Sequence, residues 1–166
     1  IYQLLPRLFA NMNGNCIPNG TLRQNCAGKM NDITQHVLES IKDLGITHVW
    51  YTGVIEHAHD ADYTRYGIRR DNPHVVKGHA GSPYAIKDYY DIDPDIAVDV
   101  DRRMEEFEQL IARTHDTGLK AIIDFVPNHV AREYSSDAKP SGIRDLGADD
   151  DHDMFFSPAN NFYYIP

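Results

Sequence analysis

Apolar residues along this chain fall into short runs whose period switches between that of a helix and that of a strand. From Asp32 to Leu44, the residues Ile33, Val37, Leu38, Ile41 and Leu44 recur at the spacing of one helix face, and Gly45 stands where a helix stops. Asp32 with Gln35 reads as a capping box at its start. Ile46 to Val54 (ITHVWYTGV) is β-branched and aromatic with no polar alternation, which predicts a buried parallel strand. A second helix is predicted over Asp101 to Thr117, with Met104, Phe107, Leu110, Ile111 and Thr114 on one side and Glu105 and Glu106 near its positive end. Gly118 ends it, and Lys120 to His129 (KAIIDFVPNH) follows as an apolar run bounded by Gly118 and Pro127, the pattern of a strand covered on both faces. Ile1 to Phe9 opens as a strand, with Pro6 placing a break or an edge in it.

The predicted order is therefore strand, helix, strand, a long irregular stretch from Ile55 to Val98, helix, strand. Short helix-to-strand turns and elaborated strand-to-helix loops belong to a parallel sheet with right-handed crossovers, either doubly wound or closed as a barrel. No G-x-G-x-x-G loop follows the first strand, which lowers the nucleotide-binding option. A loop as long as Ile55 to Val98 inside a compact domain points to function. After Tyr134 the pattern decays into an Asp-rich tract through Asp153 and an aromatic cluster from Phe155 to Tyr164.

Composition narrows the partners. A net charge of -9 argues against a broad electrostatic grip on nucleic acid or an anionic membrane, and no apolar run is long enough to cross a bilayer, so a soluble protein is expected. The 10 tyrosines offer flat apolar faces with polar tips, suited either to packing or to ligands that are part apolar and part hydroxyl. Cys16 and Cys26 are the only cysteines; a disulfide on export and two free thiols both fit, so the compartment stays open, secreted and periplasmic locations included.

Three places carry candidate chemistry. In a parallel α/β fold, ligands gather at the C-terminal ends of strands, which makes Asp124, Asn128 and His129 candidates, against the plainer role of turn-capping and surface residues. Asn11, Asn13 and Asn15 alternate as a hard-cation loop would, yet no carboxylate accompanies them, and an Asn-Gly turn cluster fits equally. Glu56, His57, His59 and Asp60 follow a strand, and His57 with His59 match the alternate imidazoles of a metal-dependent hydrolase barrel, against a solvated loop.

Four segments together resemble the α-amylase family of retaining glycoside hydrolases: IYQLLPRLF, LGITHVWYTGVIE, SPYAIKDYYDIDP and GLKAIIDFVPNH, in the family's order. The last is the most specific, an Asp followed four and five positions later by Asn and His. The resemblance implies the N-terminal part of a (β/α)8 TIM barrel, with its first three strands and two helices in residues 1–134 and the beginning of the insert after strand three in residues 135–166. It implies that His129 hydrogen-bonds a sugar hydroxyl, that Tyr84 stacks on the sugar, that Asp124 is a supporting acid orienting an arginine, and that Asn128 is a calcium ligand. The family often has Gly-Tyr-Asp around the stacking tyrosine, where this chain has Pro83, Tyr84 and Ala85.

By the same resemblance the substrate is an α-linked glucan such as starch or a maltooligosaccharide. The nucleophile and acid/base belong to the family's fourth and fifth strands, outside these 166 residues, so this chain alone is expected to be inactive. A barrel that binds sugar or a partner without catalysis is the alternative. Three strands alone would expose an unpaired edge and the inner faces of Val49 and Trp50, so further strands are expected from a longer chain or another copy.

Overall fold

A computed structural model describes residues 1–165. Strand β1 (Tyr2–Leu4) leads through a short helix α1 (Pro6–Phe9), a loop and helix α2 (Leu22–Asn25) into helix α3 (Gln35–Asp43) and strand β2 (His48–Tyr51). Strands β3 (Ile55–His57) and β4 (Ile86–Ile92) come next, then helix α4 (Arg103–Asp116) and strand β5 (Lys120–Ile123). β2 lies between β1 and β5 and is parallel to both, with Gln3, Trp50 and Ile122 in register. β3 and β4 form a separate antiparallel pair.

The two main helices form where the periodicity predicts, with their ends shifted by local capping. Thr34, not Asp32, caps α3: its hydroxyl accepts the Val37 N–H at 3.4 Å, while the Asp32 carboxylate turns back to the Lys29 N–H at 3.2 Å in a preceding 3-10 turn. The helix closes at Asp43, so Leu44 falls off its apolar face and is 70% exposed. α4 starts at Arg103 because Asp99 caps a single 3-10 turn, Val100–Arg102, ahead of it. Met104 consequently faces solvent, and the buried stripe runs through Glu106, Leu110 and Thr114. Glu106 does more than complement the helix dipole: its two oxygens accept the Val98 and Asp99 N–H groups at 2.9 and 2.7 Å, tying the incoming loop to the helix.

The predicted strand over Ile46 to Val54 is shorter than its apolar run. After Tyr51 the chain leaves the parallel sheet through Gly53 at φ +67°, where an added Cβ would lie 2.7 Å from Leu5 and 2.9 Å from Pro83. It then enters β3, so the stretch expected to be irregular from Ile55 to Val98 holds an antiparallel pair with bulges on either side of Glu56.

Side chains alternate across β2, which corrects the expectation that Val49 and Trp50 share an exposed face. Val49 and Tyr51 point into a core made with Leu38, Ile41 and Leu110, and the Tyr51 hydroxyl meets the Thr114 hydroxyl at 2.7 Å. Trp50 occupies the opposite face beside exposed Gln3, whose amide donates to Thr52 at 2.8 Å. β5 is not covered on both faces either: it forms an edge of the described sheet, and Ile123 and Phe125 remain exposed. From Ser135 to Ile165 the chain runs in turns and bends with no helix or strand.

Candidate functional site at the strand ends

Of the four residues proposed from the sequence, Asp124, Asn128 and His129 follow the C-terminal end of β5, whereas Tyr84 lies in the connection between β3 and β4. Tyr84 follows Pro83, which packs against Gly53 at the end of β2, and its ring is half exposed. Asp124 directly follows β5, and its Oδ1 accepts the Trp50 indole N–H at 2.5 Å. That bond fixes the carboxylate on the helix-free face of the sheet and leaves Oδ2 for a second donor. Asn128 and His129 are exposed and touch each other, with Asn128 Oδ1 2.6 Å from His129 Nδ1. An amide oxygen there demands the proton on Nδ1, so the neutral ring presents Nε2 as an acceptor to solvent. The loop carrying them is held from β4, where the Tyr89 hydroxyl donates to the Val126 carbonyl and the Tyr89 ring lies 5.7 Å from that of Phe125.

Beneath this surface the antiparallel pair encloses charged groups where a core normally has hydrocarbon. Glu56, His57, His59, Asp71, Lys87, Asp88, Asp91, Asp93 and Asp95 are all buried. Lys87 is 2% exposed and lies 3.5 Å from Glu56 and 3.4 Å from Asp71, while also donating to the Arg69 carbonyl. Arg103 reaches from α4 to clasp Asp91. Arg7 reaches Asp95 at 2.7 Å from α1, and the Tyr63 hydroxyl donates to the other oxygen of Asp95 at 2.7 Å.

The electrostatics follow from burial set against pairing. Burial pushes the Glu56 carboxyl up to about 8 against the opposing pull of Lys87, with Asp91, Asp88 and Asp93 adding to the rise. His57 Nδ1 lies 2.6 Å from Asp93 Oδ2. Burial alone would lower the His57 pKa and raise that of Asp93, but the pair reverses both, so His57 titrates above and Asp93 below its ordinary value. The pairing thus favours the charged form of each partner.

His57 and His59 are both buried, which corrects the alternative of a solvated loop, and each already has a polar partner. His59 Nδ1 accepts the Ala61 N–H at 3.2 Å, which leaves the neutral ring's proton on Nε2. His57 is committed to Asp93. Asp60 pairs instead with His79, at 2.6 Å. The Asn loop resolves as a turn ladder: Asn11 Oδ1 accepts the Asn13 N–H at 3.0 Å and Asn13 Oδ1 the Asn15 N–H at 2.9 Å. Cys16 and Cys26 are both free and exposed, so they are not paired.

Sequence reasoning missed Trp50 as the partner of Asp124, and Arg7, Lys87, Asp91, Asp93, Asp95 and Arg103 as a network. One signal was present, the density of acids at Asp88, Asp91, Asp93 and Asp95 among the apolar residues Ile86, Ile92 and Ile96, since acids so placed are buried with the strand and the turn after it.

With this geometry in hand, the comparisons assign the class. The family described as alpha amylase, catalytic domain, matches residues 3–161, and this chain belongs to it. Maltase A1 of Drosophila melanogaster is 31% identical over 132 residues, which are 80% of this chain and 17% of that protein. The amino acid transporter heavy chain SLC3A1 of Homo sapiens is 31% identical over 134 residues, 81% of this chain and 14% of that protein. Among solved structures, an alpha-amylase from Lactobacillus plantarum superposes with a TM-score of 0.53 at 26% identity, covering 80% of this chain and 23% of that one. The chain thus spans less than a fifth of the length of these curated relatives. No helix among the described residues is long and apolar enough to cross a membrane.

Proposed function

We propose that this chain is the N-terminal part of the (β/α)8 barrel of a retaining glycosidase acting on α-linked glucans, with residues 1–134 supplying the first three strands and two helices and residues 135–166 beginning the insert. The observation that supports it is the position of Asp124, with Asn128 and His129 a few residues beyond it, where the chain leaves the C-terminal end of the parallel strand β5, the place where barrel enzymes bind substrate. His129 Nε2 accepts a hydrogen bond from a sugar hydroxyl. Tyr84 presents a ring face to the sugar. Asp124, held by Trp50, uses its free oxygen to orient an arginine beside the nucleophile. Asn128 is a ligand of a calcium ion joining barrel and insert, a suitable role for a neutral amide oxygen. In such an enzyme the two reacting carboxyl groups stand roughly 5 to 5.5 Å apart, one attacking the anomeric carbon and one protonating the leaving oxygen. Both are contributed by strands four and five.

The test is maltotriose hydrolysis by the protein carrying those strands, followed by NMR of the first-formed anomer. Retention is expected, with His129→Ala lowering kcat/KM at least about 100-fold, as loss of a positioned hydrogen bond does. Hydrolysis by the 166 residues alone, or an unchanged rate in His129→Ala, would overturn this assignment.

The match to a transporter heavy chain favours a second reading, a non-catalytic barrel that binds a partner. An Asp on strand four and a Glu on strand five select the enzyme. Their absence selects the binding module.

A further inference from the structure

We propose that Glu56, Asp88 and Asp91 form a binding site for a calcium-sized divalent cation, separate from Asn128 and buried between β3 and β4. Their nearest carboxylate oxygens all lie within 4.8 Å of one another, and each residue is at least nine-tenths buried. Calcium–oxygen bonds are roughly 2.3 to 2.6 Å long, so oxygens on opposite sides of one ion stand about that far apart. Glu56 and Asp88 are direct cross-strand partners, and like charges in that relation repel unless something neutralises them.

Glu56 points independently to a ligand. It is fully buried and neither of its oxygens has a hydrogen-bond partner; the nearest cation, Lys87 Nζ, is 3.5 Å away and shared with Asp71 and the Arg69 carbonyl. A buried carboxylate left so poorly partnered is expensive, and coordination to a metal is one of the few ways to relieve it. Asp88 already accepts the Tyr90 and Ala138 N–H groups, at 2.7 and 2.8 Å, and Asp91 accepts the Ile92 N–H at 2.7 Å together with the Arg103 guanidinium. Those bonds orient the oxygens and leave lone pairs on them. Glu56, Asp71, Asp88 and Asp91 have only Lys87 and Arg103 as cationic partners, so a doubly charged cation would supply what is needed for all four acids to be ionised together. The neighbouring cluster of His59, Asp93 and Asp95 has no such deficit, because His57, Arg7 and Tyr63 already serve its acids.

All-oxygen donors select a hard ion, and the span suits calcium better than magnesium, whose bonds are about 2.0 to 2.1 Å. Mn2+ serves as the probe. The protein with Asn128→Ala, which silences the other calcium site, is stripped with chelator and loaded with Mn2+. Electron paramagnetic resonance is expected to show one bound ion per chain, displaced by Ca2+, and thermal melting is expected to rise with Ca2+ and to fall again with chelator. Glu56→Gln, which keeps the side-chain shape and sacrifices no hydrogen bond, is expected to weaken Mn2+ binding at least tenfold while retaining the fold by circular dichroism. No bound Mn2+ and no calcium-dependent melting shift in the Glu56-containing protein would overturn the site, as would unchanged Mn2+ binding by Glu56→Gln.

Discussion

The two sheets of this chain bury opposite kinds of material. Around the parallel sheet, Leu38, Ile41, Val49, Tyr51 and Leu110 make a core that helices α3 and α4 close by excluding water. Around the antiparallel pair, six acids and their cationic partners occupy equally buried positions. The first arrangement is non-directional and tolerates some repacking. The second depends on each charge having its counterpart, because taking an ion out of water costs several kcal/mol unless geometry returns it. One fold therefore combines a forgiving half with an exacting half, and the exacting half supports the loop that carries Asn128 and His129 through Tyr89.

The sharpest break in that comparison is Lys87→Met. Removing the ammonium leaves Asp71 and Glu56 facing each other's surroundings without their shared cation. A loss of about 3 to 5 kcal/mol is expected in urea unfolding. Adding Glu56→Gln removes one of the stranded acids, so the double variant is expected to lose less than the sum of the two single ones. Strict additivity would mean that the two groups do not interact.

On the apolar side, Leu110→Ala is expected to cost about 2 to 5 kcal/mol, the range for deleting a buried leucine side chain. Here no counter-substitution of charge will restore the loss, whereas Leu110→Met is expected to recover most of it by conserving volume. Urea midpoints for the two variants check this directly. Equal losses for Ala and Met would show that shape, and not volume, governs this core.

What the sequence made legible divides along the same line. The helix faces of α3 and α4 and the parallel order of β1, β2 and β5 follow from hydrophobic period, since burial of apolar surface is written into spacing. Ion pairing is not periodic. Arg7 meets Asp95, and Arg103 meets Asp91, only after the chain has folded, so no local pattern marks them. The candidate site was legible through Asp124, Asn128 and His129 because they sit together at a strand end, while Trp50 was hidden by lying 74 positions away on the neighbouring strand. Met104 and Leu44 misled for a third reason: capping by Asp99 and Thr34 shifted the helix ends, and a terminal residue loses its face when the helix starts late or stops early.

The smallest expected effect concerns the turn-rich segment after Ser135, which has neither kind of core and relies on a surface carboxylate. Asp150 accepts the Asn161 N–H at 2.8 Å, the Phe162 N–H at 2.9 Å and the Tyr164 hydroxyl at 2.9 Å. Partial burial works against its charge, but these donors prevail and hold its pKa below the ordinary carboxylate value. For a lowered pKa, the stabilisation is fully present above the unfolded-state value of about 3.9 and is lost as pH falls through the lower folded-state value. Amide exchange at Asn161 and Phe162, corrected for intrinsic rates, is therefore expected to be slow at pH 6 and to accelerate toward pH 3. In Asp150→Asn both amides are expected to exchange faster at pH 6 and to lose most of that acid response, while the parallel sheet is unaffected. An acid response at these two amides that survives intact in Asp150→Asn would assign the anchoring of this segment to a different group.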